Sequence, residues 1–228
     1  EIYTLSLHDA LPISIHDVIT CSTLSDSIDG GAGDDILLGN GVTDTVIGGA
    51  GTDTVRIPGT VADDAITFAM SPGAGGPNLF ATVNLTPFFY VNIGTSGIEE
   101  LLVEGLAGND NLSINNINGS IPVPIHYDGG PGSDSLSLLG NGTSDVYTAG
   151  PVLGSGSSVI VRAGVTQTVS FSNLEPVLDT VIAPSLVVNA NNADNAINYG
   201  PGSVAANGLV SVDTQESIEM NRDRKSVV

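Results

Sequence analysis

Residues 30–56 read GGAGDDILLGNGVTDTVIGGAGTDTVR. Cut into nines, the stretch gives GGAGDDILL, GNGVTDTVI and GGAGTDTVR. Gly30, Gly39 and Gly48 open the units, Asp35, Asp44 and Asp53 hold the sixth place, and Leu37, Val46 and Val55 hold the eighth. Each unit dictates a tight turn followed by a very short strand, because Gly takes positive-φ positions at little steric cost. A strand of three residues buries too little on its own, so the apolar eighth residue must be covered by stacking against other units. The turn carbonyls and the carboxylate then converge, which is a donor set for a hard cation.

This unit resembles the glycine-rich nonapeptide of the RTX, or haemolysin-type, calcium-binding repeat family, G-G-x-G-x-D-x-U-x with U a large apolar residue. Units one and three match closely, while unit two has Asn40 in place of the second Gly and Val42 in place of the fourth. In that family two nonapeptides make one coil, so the resemblance implies that turns 18 residues apart stack on the same side. It pairs the loop Gly30, Ala32, Gly33, Asp35 with the loop Gly48, Gly49, Gly51, Asp53, and the best calcium site is expected between them. Calcium takes about six to eight oxygens from such carbonyls and carboxylates. Asp26 and Asp44 are expected on the opposite side, in a weaker site, because residues 21–25 before Asp26 contain no Gly. Asp17 also falls in register, with Ile19 in the apolar place.

The two ends read differently. Residues 1–13, EIYTLSLHDALPI, look like a sequencing adapter translated in frame, and residues 223–228, DRKSVV, like the translation of its reverse complement. Both are set aside as artefacts, as a fusion scar is set aside. The natural part, about residues 14–222, is then expected to be an internal piece of a larger chain with neighbouring domains.

The whole chain carries 25 acids and 5 bases, a net charge of −20. Between the two ends there remain 22 acids against three bases, Arg56, Arg162 and Arg222, and no Lys. Such a surface repels nucleic acid and anionic membrane. Hydrophobic residues make up 41% and charged residues only 13%, so the chain is not of the disordered kind. Aromatic residues are only 4%, which suits a thin core built by stacking. No segment approaches the run of about 20 apolar residues that spans a membrane. Cys21 stands alone, so no internal disulfide is possible, and it reads as a turn residue.

A longer repeat follows. A small-residue turn, an Asp and a short apolar strand recur at Gly59–Phe68 with Asp64, Gly140–Thr148 with Asp145, and Asn189–Tyr199 with Asp194. Each runs into β-rich sequence ending in an apolar–Glu pair, Ile98-Glu99, Leu174-Glu175 and Ile218-Glu219. Three degenerate units of differing length mark a stacked repeat with insertions. Between them lie two single turns, Gly105–Leu112 with Asp110 and Gly129–Leu136 with Asp134. These are 24 residues apart, so a weaker calcium site there needs a larger coil; the alternative is that both Asp cap turns through main-chain amides.

Other chemistry is thin. His126-Tyr127-Asp128 has an acid–base look, but strand alternation puts His126 and Asp128 on one face and Tyr127 on the other. Phe88-Phe89-Tyr90 reads as a core-closing trio before a sugar-stacking one. No Ser–His–Asp order, zinc cluster or nucleotide-binding loop is evident. The expected architecture is all-β, a right-handed parallel β-solenoid: a calcium-binding β-roll over 14–58 continuing into an irregular parallel β-helix over 59–222. The expected role is calcium-driven folding of a secreted or cell-surface bacterial repeat protein, structural and not an enzyme, with calcium the cofactor, no nucleic-acid partner, no membrane insertion and a glycan possible. The alternative is a carbohydrate-binding or carbohydrate-active β-helix (adhesin, lyase or epimerase), for which a groove lined by Tyr90, Tyr127 or Tyr147 is the requirement.

Overall fold

The computed structural model describes residues 2–4, 16–21, 24–39, 44–73, 76–92, 96–190, 196–212 and 217–221, and these are all-β, with no helix. Strands alternate along the chain between two sheets. β1 (Ile2–Thr4) and β2 (Val18–Thr20) lie in sheet one, β3 (Ser27–Ala32) in sheet two, β4 (Ile36–Leu38) in one, β5 (Thr45–Ala50) in two and β6 (Thr54–Pro58) in one. β7 (Ala65–Gly73), β8 (Gly76–Val83) and β9 (Thr86–Asn92) form an antiparallel meander in sheet two. Alternation resumes with β10 (Glu100–Glu104) in one, β11 (Asn111–Asn115) in two, β12 (Ile125–Asp128) in one and β13 (Ser135–Leu139) in two. A second meander, β14 (Ser144–Ala149), β15 (Gly156–Arg162) and β16 (Val165–Ser172), lies in sheet one. β17 (Val177–Asp179) returns to two and β18 (Val187–Asn189) to one, and a third meander, β19 (Ile197–Pro201), β20 (Asn207–Val212) and β21 (Ile218–Asn221), closes sheet two.

Strands that follow one another within a sheet, meanders apart, pair in parallel. Val18 pairs with Ile36, Ile36 with Thr54, and Ser27 with Thr45, a uniform offset of 18 residues. Beyond residue 58 the offsets lengthen, Ala65 pairing with Asn111 and Asn111 with Ser135, while the sheets run on without a break. The offset from Asn111 to Ser135 comes from a longer connection, 116–124, between β11 and β12, and the larger offsets come from the meanders. The three Asp-to-Glu units of the sequence map onto them: β7–β9 follows Asp64 and ends before Glu99, and β14–β16 contains Asp145 and ends before Glu175. The third differs, because Glu219 sits within β21 and the turn 191–195 that carries Asp194 lies outside the described residues.

Period-two alternation drives burial. In β11 Leu112 and Ile114 point inward between Asn111, Ser113 and Asn115, and in β10 Leu101 and Val103 do so between Glu100, Leu102 and Glu104. The inward residues of both sheets form one apolar cluster running from Ile19 to Met220. Each fully buried aliphatic side chain stabilises by about 1.5–3 kcal/mol relative to exposure. Core side chains recur at every level, so this thin core is continuous.

Candidate metal centre

Eight of the Asp residues singled out by the repeat occupy one structural place, the residue just before a strand; Asp145 instead lies within β14, and Asp194 lies outside the described residues. Asp17 precedes β2, Asp26 β3, Asp35 β4, Asp44 β5, Asp53 β6, Asp64 β7, Asp110 β11 and Asp134 β13. At that place the main chain leaves the turn, and the carboxylate reaches the amide of the equivalent Asp one level away. Asp17 N–H donates to Asp35 Oδ1 at 2.8 Å, Asp35 N–H to Asp53 Oδ1 at 2.9 Å, and Asp53 N–H to Glu99 Oε2 at 2.8 Å. The carbonyls complete the link: Asp17 O accepts from Ile36 N–H and Asp35 O from Thr54 N–H, each at 2.8 Å. The two loops expected to stack, 30–35 and 48–53, therefore do stack. Glu99 ends this column; the first meander intervenes before it, and the longer side chain still reaches Asp53.

The glycine at the head of each loop is required by its own Asp. A Cβ on Gly30 would lie 2.7 Å from Asp35 Oδ2 and 2.5 Å from Gly48 O. A Cβ on Gly48 would lie 2.7 Å from Asp53 Oδ2 and 2.0 Å from Gly97 O. Each carboxylate thus folds back over the Cα of the residue five before it. Asp35 and Asp53 are buried, and among the described residues the Oδ2 of each has no hydrogen-bond partner. Burial pushes the Asp53 carboxyl above its ordinary range, the Asp35 N–H pulls it back, and the charges of Asp35, Glu99 and Asp34 push it up again, for a net rise.

The opposite corner repeats the arrangement. Asp26 N–H donates to Asp44 Oδ1 at 2.9 Å, so the second expected pair also meets. Cys21 joins it: its Sγ and one carboxylate oxygen each of Asp26 and Asp44 lie within 4.8 Å of one another. Burial pushes the Cys21 thiol up strongly, followed by the charge of Asp44, a hydrogen bond to Asp44 and the charge of Asp26. The repeat frame contained the signal, since Cys21 stands nine residues before Gly30, at the first place of its unit. Residues 22–23 and 40–43 of this corner, including Asn40 and Val42, lie outside the described residues.

Farther along the same corner, Asp64 N–H donates to Asp110 Oδ1 and Asp110 N–H to Asp134 Oδ1, each at 2.7 Å. The 24-residue spacing is accommodated by the longer connection 116–124 between β11 and β12. Both carboxylates bond main-chain amides, yet Asp110 Oδ2 and Asp134 Oδ2 are buried without a partner among the described residues. Burial is the chief cause that raises both carboxyls; the amide bonds oppose it, and neighbouring charges, chiefly Asp134 for Asp110 and Asp128 for Asp134, add to it. Asp64 is better satisfied, taking bonds from Thr60 and Asn84.

Two solvent-side columns, one at each corner, were not foreseen. Asp34 N–H donates to His16 Nδ1 and Thr52 N–H to Asp34 Oδ1, each at 2.8 Å. Asn109 N–H donates to Asp63 Oδ1 at 2.8 Å and Ser133 N–H to Asn109 Oδ1 at 3.1 Å. These residues hold the place just before the motif Asp, where the family pattern specifies nothing, so only the register could reveal them.

His126, Tyr127 and Asp128 alternate as expected, Tyr127 inward and the other two outward. The side chains of Tyr127 and Tyr147 are buried among the inward residues, so neither ring is free to stack on a sugar, and the side chains of Phe88, Phe89 and Tyr90 lie outside the described residues.

No protein-family model matches the chain, and no curated protein matches it. The crystal structure of the extracellular lipase LipA from Serratia marcescens is similar at 14% identity and a TM-score of 0.30, over 96% of this chain and 39% of the lipase. The chain thus spans about two fifths of that protein's length. The expectation that this chain is not an enzyme is corrected on this finding, because the similar protein is one. Among the described residues no helix is long and apolar enough to cross a membrane.

Proposed function

We propose that the Asp–Gly corners bind calcium and that this binding stabilises a right-handed parallel β-solenoid, a β-roll of the RTX kind over residues 14–58 continuing into an irregular β-helix over 59–222, in a secreted bacterial repeat protein. One observation carries the reading: Asp35 Oδ2 and Asp53 Oδ2 are buried on successive levels with no partner among the described residues. An unpaired buried carboxylate is costly and normally neutralises or finds a counter-charge. The donor set fits a hard cation, all oxygen, with glycines leaving the carboxylates room that a side chain would fill.

Asp35 and Asp53 would hold the ion together with carbonyls of Gly30, Ala32, Gly33, Gly48, Gly49 and Gly51. Asp26 and Asp44, and Asp110 and Asp134, are the weaker sites of this reading. Calcium, when bound, supplies positive charge to a column of like charges. The rest is done by the chain. The Asp amides hold each neighbouring carboxylate in place, so its second oxygen is aimed before any ligand arrives. Repulsion between stacked carboxylates is about 1 kcal/mol per pair in water and more where screening is poor. The short strands offset chain entropy only narrowly, so binding free energy becomes folding free energy. Extracellular modules bind calcium at about 10⁻⁴–10⁻³ M, which favours the unfolded chain inside a cell and the folded one outside.

The test is a calcium titration of the full chain followed by far-UV circular dichroism, beside an Asp35→Ala/Asp53→Ala double variant. β signal should grow in the submillimolar to millimolar range, and the variant should need much more calcium. A wild type already fully folded in EDTA, with no response to calcium, overturns the reading.

A further inference from the structure

On the outward face of sheet one, three adjacent strands bring Glu100, His126 and Ser170 together. The sheet order is β10, β12, β16, with Leu102 paired to His126 and His126 to Ser170. Glu100 lies two residues before Leu102 on the same face. Ser170 Oγ is hydrogen-bonded to His126 Nδ1, and His126 Nε2 stands 3.3 Å from Glu100 Oε1. Glu100 only accepts, so the imidazole proton sits on Nε2 and Nδ1 is left to receive the hydroxyl. Ser170 Oγ also lies 3.4 Å from the Ile125 carbonyl, but its single proton goes to the closer nitrogen. A cavity of about 300 Å³ opens at this place, lined by Leu102, His126, Asp128, Ser170 and Ser172 among others.

We propose that Ser170, His126 and Glu100 form an acyl-transfer site for small activated esters. Ser170 is the nucleophile, His126 the base, and Glu100 the positioning residue that fixes the tautomer. Ser170 Oγ attacks the ester carbonyl carbon while its proton passes to His126 Nδ1. The bond to the leaving oxygen breaks, that oxygen takes the Nδ1 proton, and the acyl group stays on Ser170. Water then attacks the acyl carbon, gives a proton to Nδ1, and Ser170 leaves as the hydroxyl with that proton, releasing the acid.

The fold also sets the limit of the site. β10, β12 and β16 each have a neighbour on both sides, so their amides are committed to the sheet and no oxyanion hole of main-chain N–H groups is at hand. Loss of one such donor costs about 10²–10³ in rate. The substrates are therefore esters whose leaving group is already good, such as aryl esters. The other charges on this face are Asp128 on β12, Glu104 on β10 and Arg56 on β6, the last two joined in an ion pair at 2.5 Å. None of them lies between Ser170 and His126.

The experiment uses the full chain with p-nitrophenyl acetate as probe, in calcium, with peptide mapping of the acetyl group by mass spectrometry. The wild type should show hydrolysis above the background rate and acetyl on Ser170. Ser170→Ala and His126→Gln should each lower the rate at least tenfold, Ser113→Ala on the other sheet should leave it unchanged, and Glu100→Gln should lower kcat with KM unchanged while Glu100→Asp restores part of it. A rate unchanged in Ser170→Ala while circular dichroism shows the fold intact overturns the proposal. So does acetyl found only on Lys225 or the N-terminus. Neither result bears on the calcium reading, which is read from folding.

Discussion

Asp35 gives its main-chain N–H to Oδ1 of Asp53 at 2.9 Å, so two residues of like charge are joined by a bond that uses one acceptor oxygen and leaves the other buried. The bond fixes position and the leftover oxygen carries the cost. Stability should therefore depend on what happens at that second oxygen.

Asp53→Asn keeps an oxygen for the Asp35 amide and removes the charge. In EDTA it should raise stability by about 1–2 kcal/mol, as replacing an uncompensated buried charge does. In millimolar calcium the order should reverse, since a ligand is lost. Urea unfolding in the two conditions measures both signs, and a variant less stable than wild type in EDTA contradicts the account.

Acidity should act in the same direction as the neutral side chain. The carboxyls of Asp53, Asp110 and Asp134 are raised in the fold above their ordinary value of 3.8. The folded state then binds more protons than the unfolded one, and stability falls as pH rises. The favourable contribution is complete below about pH 3.8 and is lost as pH climbs through the raised values. Metal-free thermal midpoints should fall as pH rises above about 3.8 and through the raised values of these groups, and calcium should flatten the slope.

Gly48→Ala drives a methyl to 2.0 Å from the Gly97 carbonyl, a main-chain atom that cannot swing aside. A loss of about 3 kcal/mol, the upper end for overpacking, is expected. Gly200→Ala, with nothing within 4 Å of the new methyl, should change stability by about 0.5 kcal/mol or less. Denaturant midpoints of the two variants side by side make the comparison.

Cys21 is 3% exposed and its thiol is pushed up by burial and by Asp44 and Asp26. Thiolate is the reactive form, so the folded chain should react with a disulfide reagent at pH 8 only as fast as this corner opens. Rapid labelling in the folded state, equal to that in urea, would contradict the burial described.

Much of this was legible in the chain itself. A spacing of 18 residues between Asp35 and Asp53 fixed which turns meet, because a strand period of two and a conserved unit length leave no other register for Leu37 and Val55. The main-chain bond between the two Asp was not legible, since it belongs to the turn geometry and not to a residue type. Cys21 reads as a turn residue and stands just after β2, but its approach to Asp26 and Asp44 was not legible, because a Cys in the first, Gly place of the unit carries no family signal. Glu100, His126 and Ser170 were hidden for another reason. Their sequence separations, 26 and 44 residues, are sums of insertions of unequal length, and nothing local announces that they share a face.

The first meander has a consequence for how the molecule can be put together. In sheet two the order is β5, β9, β8, β7, β11, the reverse of the chain's own order within the insertion. After β6 the chain thus reserves two empty strand widths, about 10 Å at the usual spacing, and fills them backwards. Growth by adding each new strand to the last one halts at residue 58 and restarts only when Asn92 has arrived. A chain emerging end-first would hold an unfinished seam in this sheet for that interval, and the number of returning strands, two between β5 and β7, is what closes the gap.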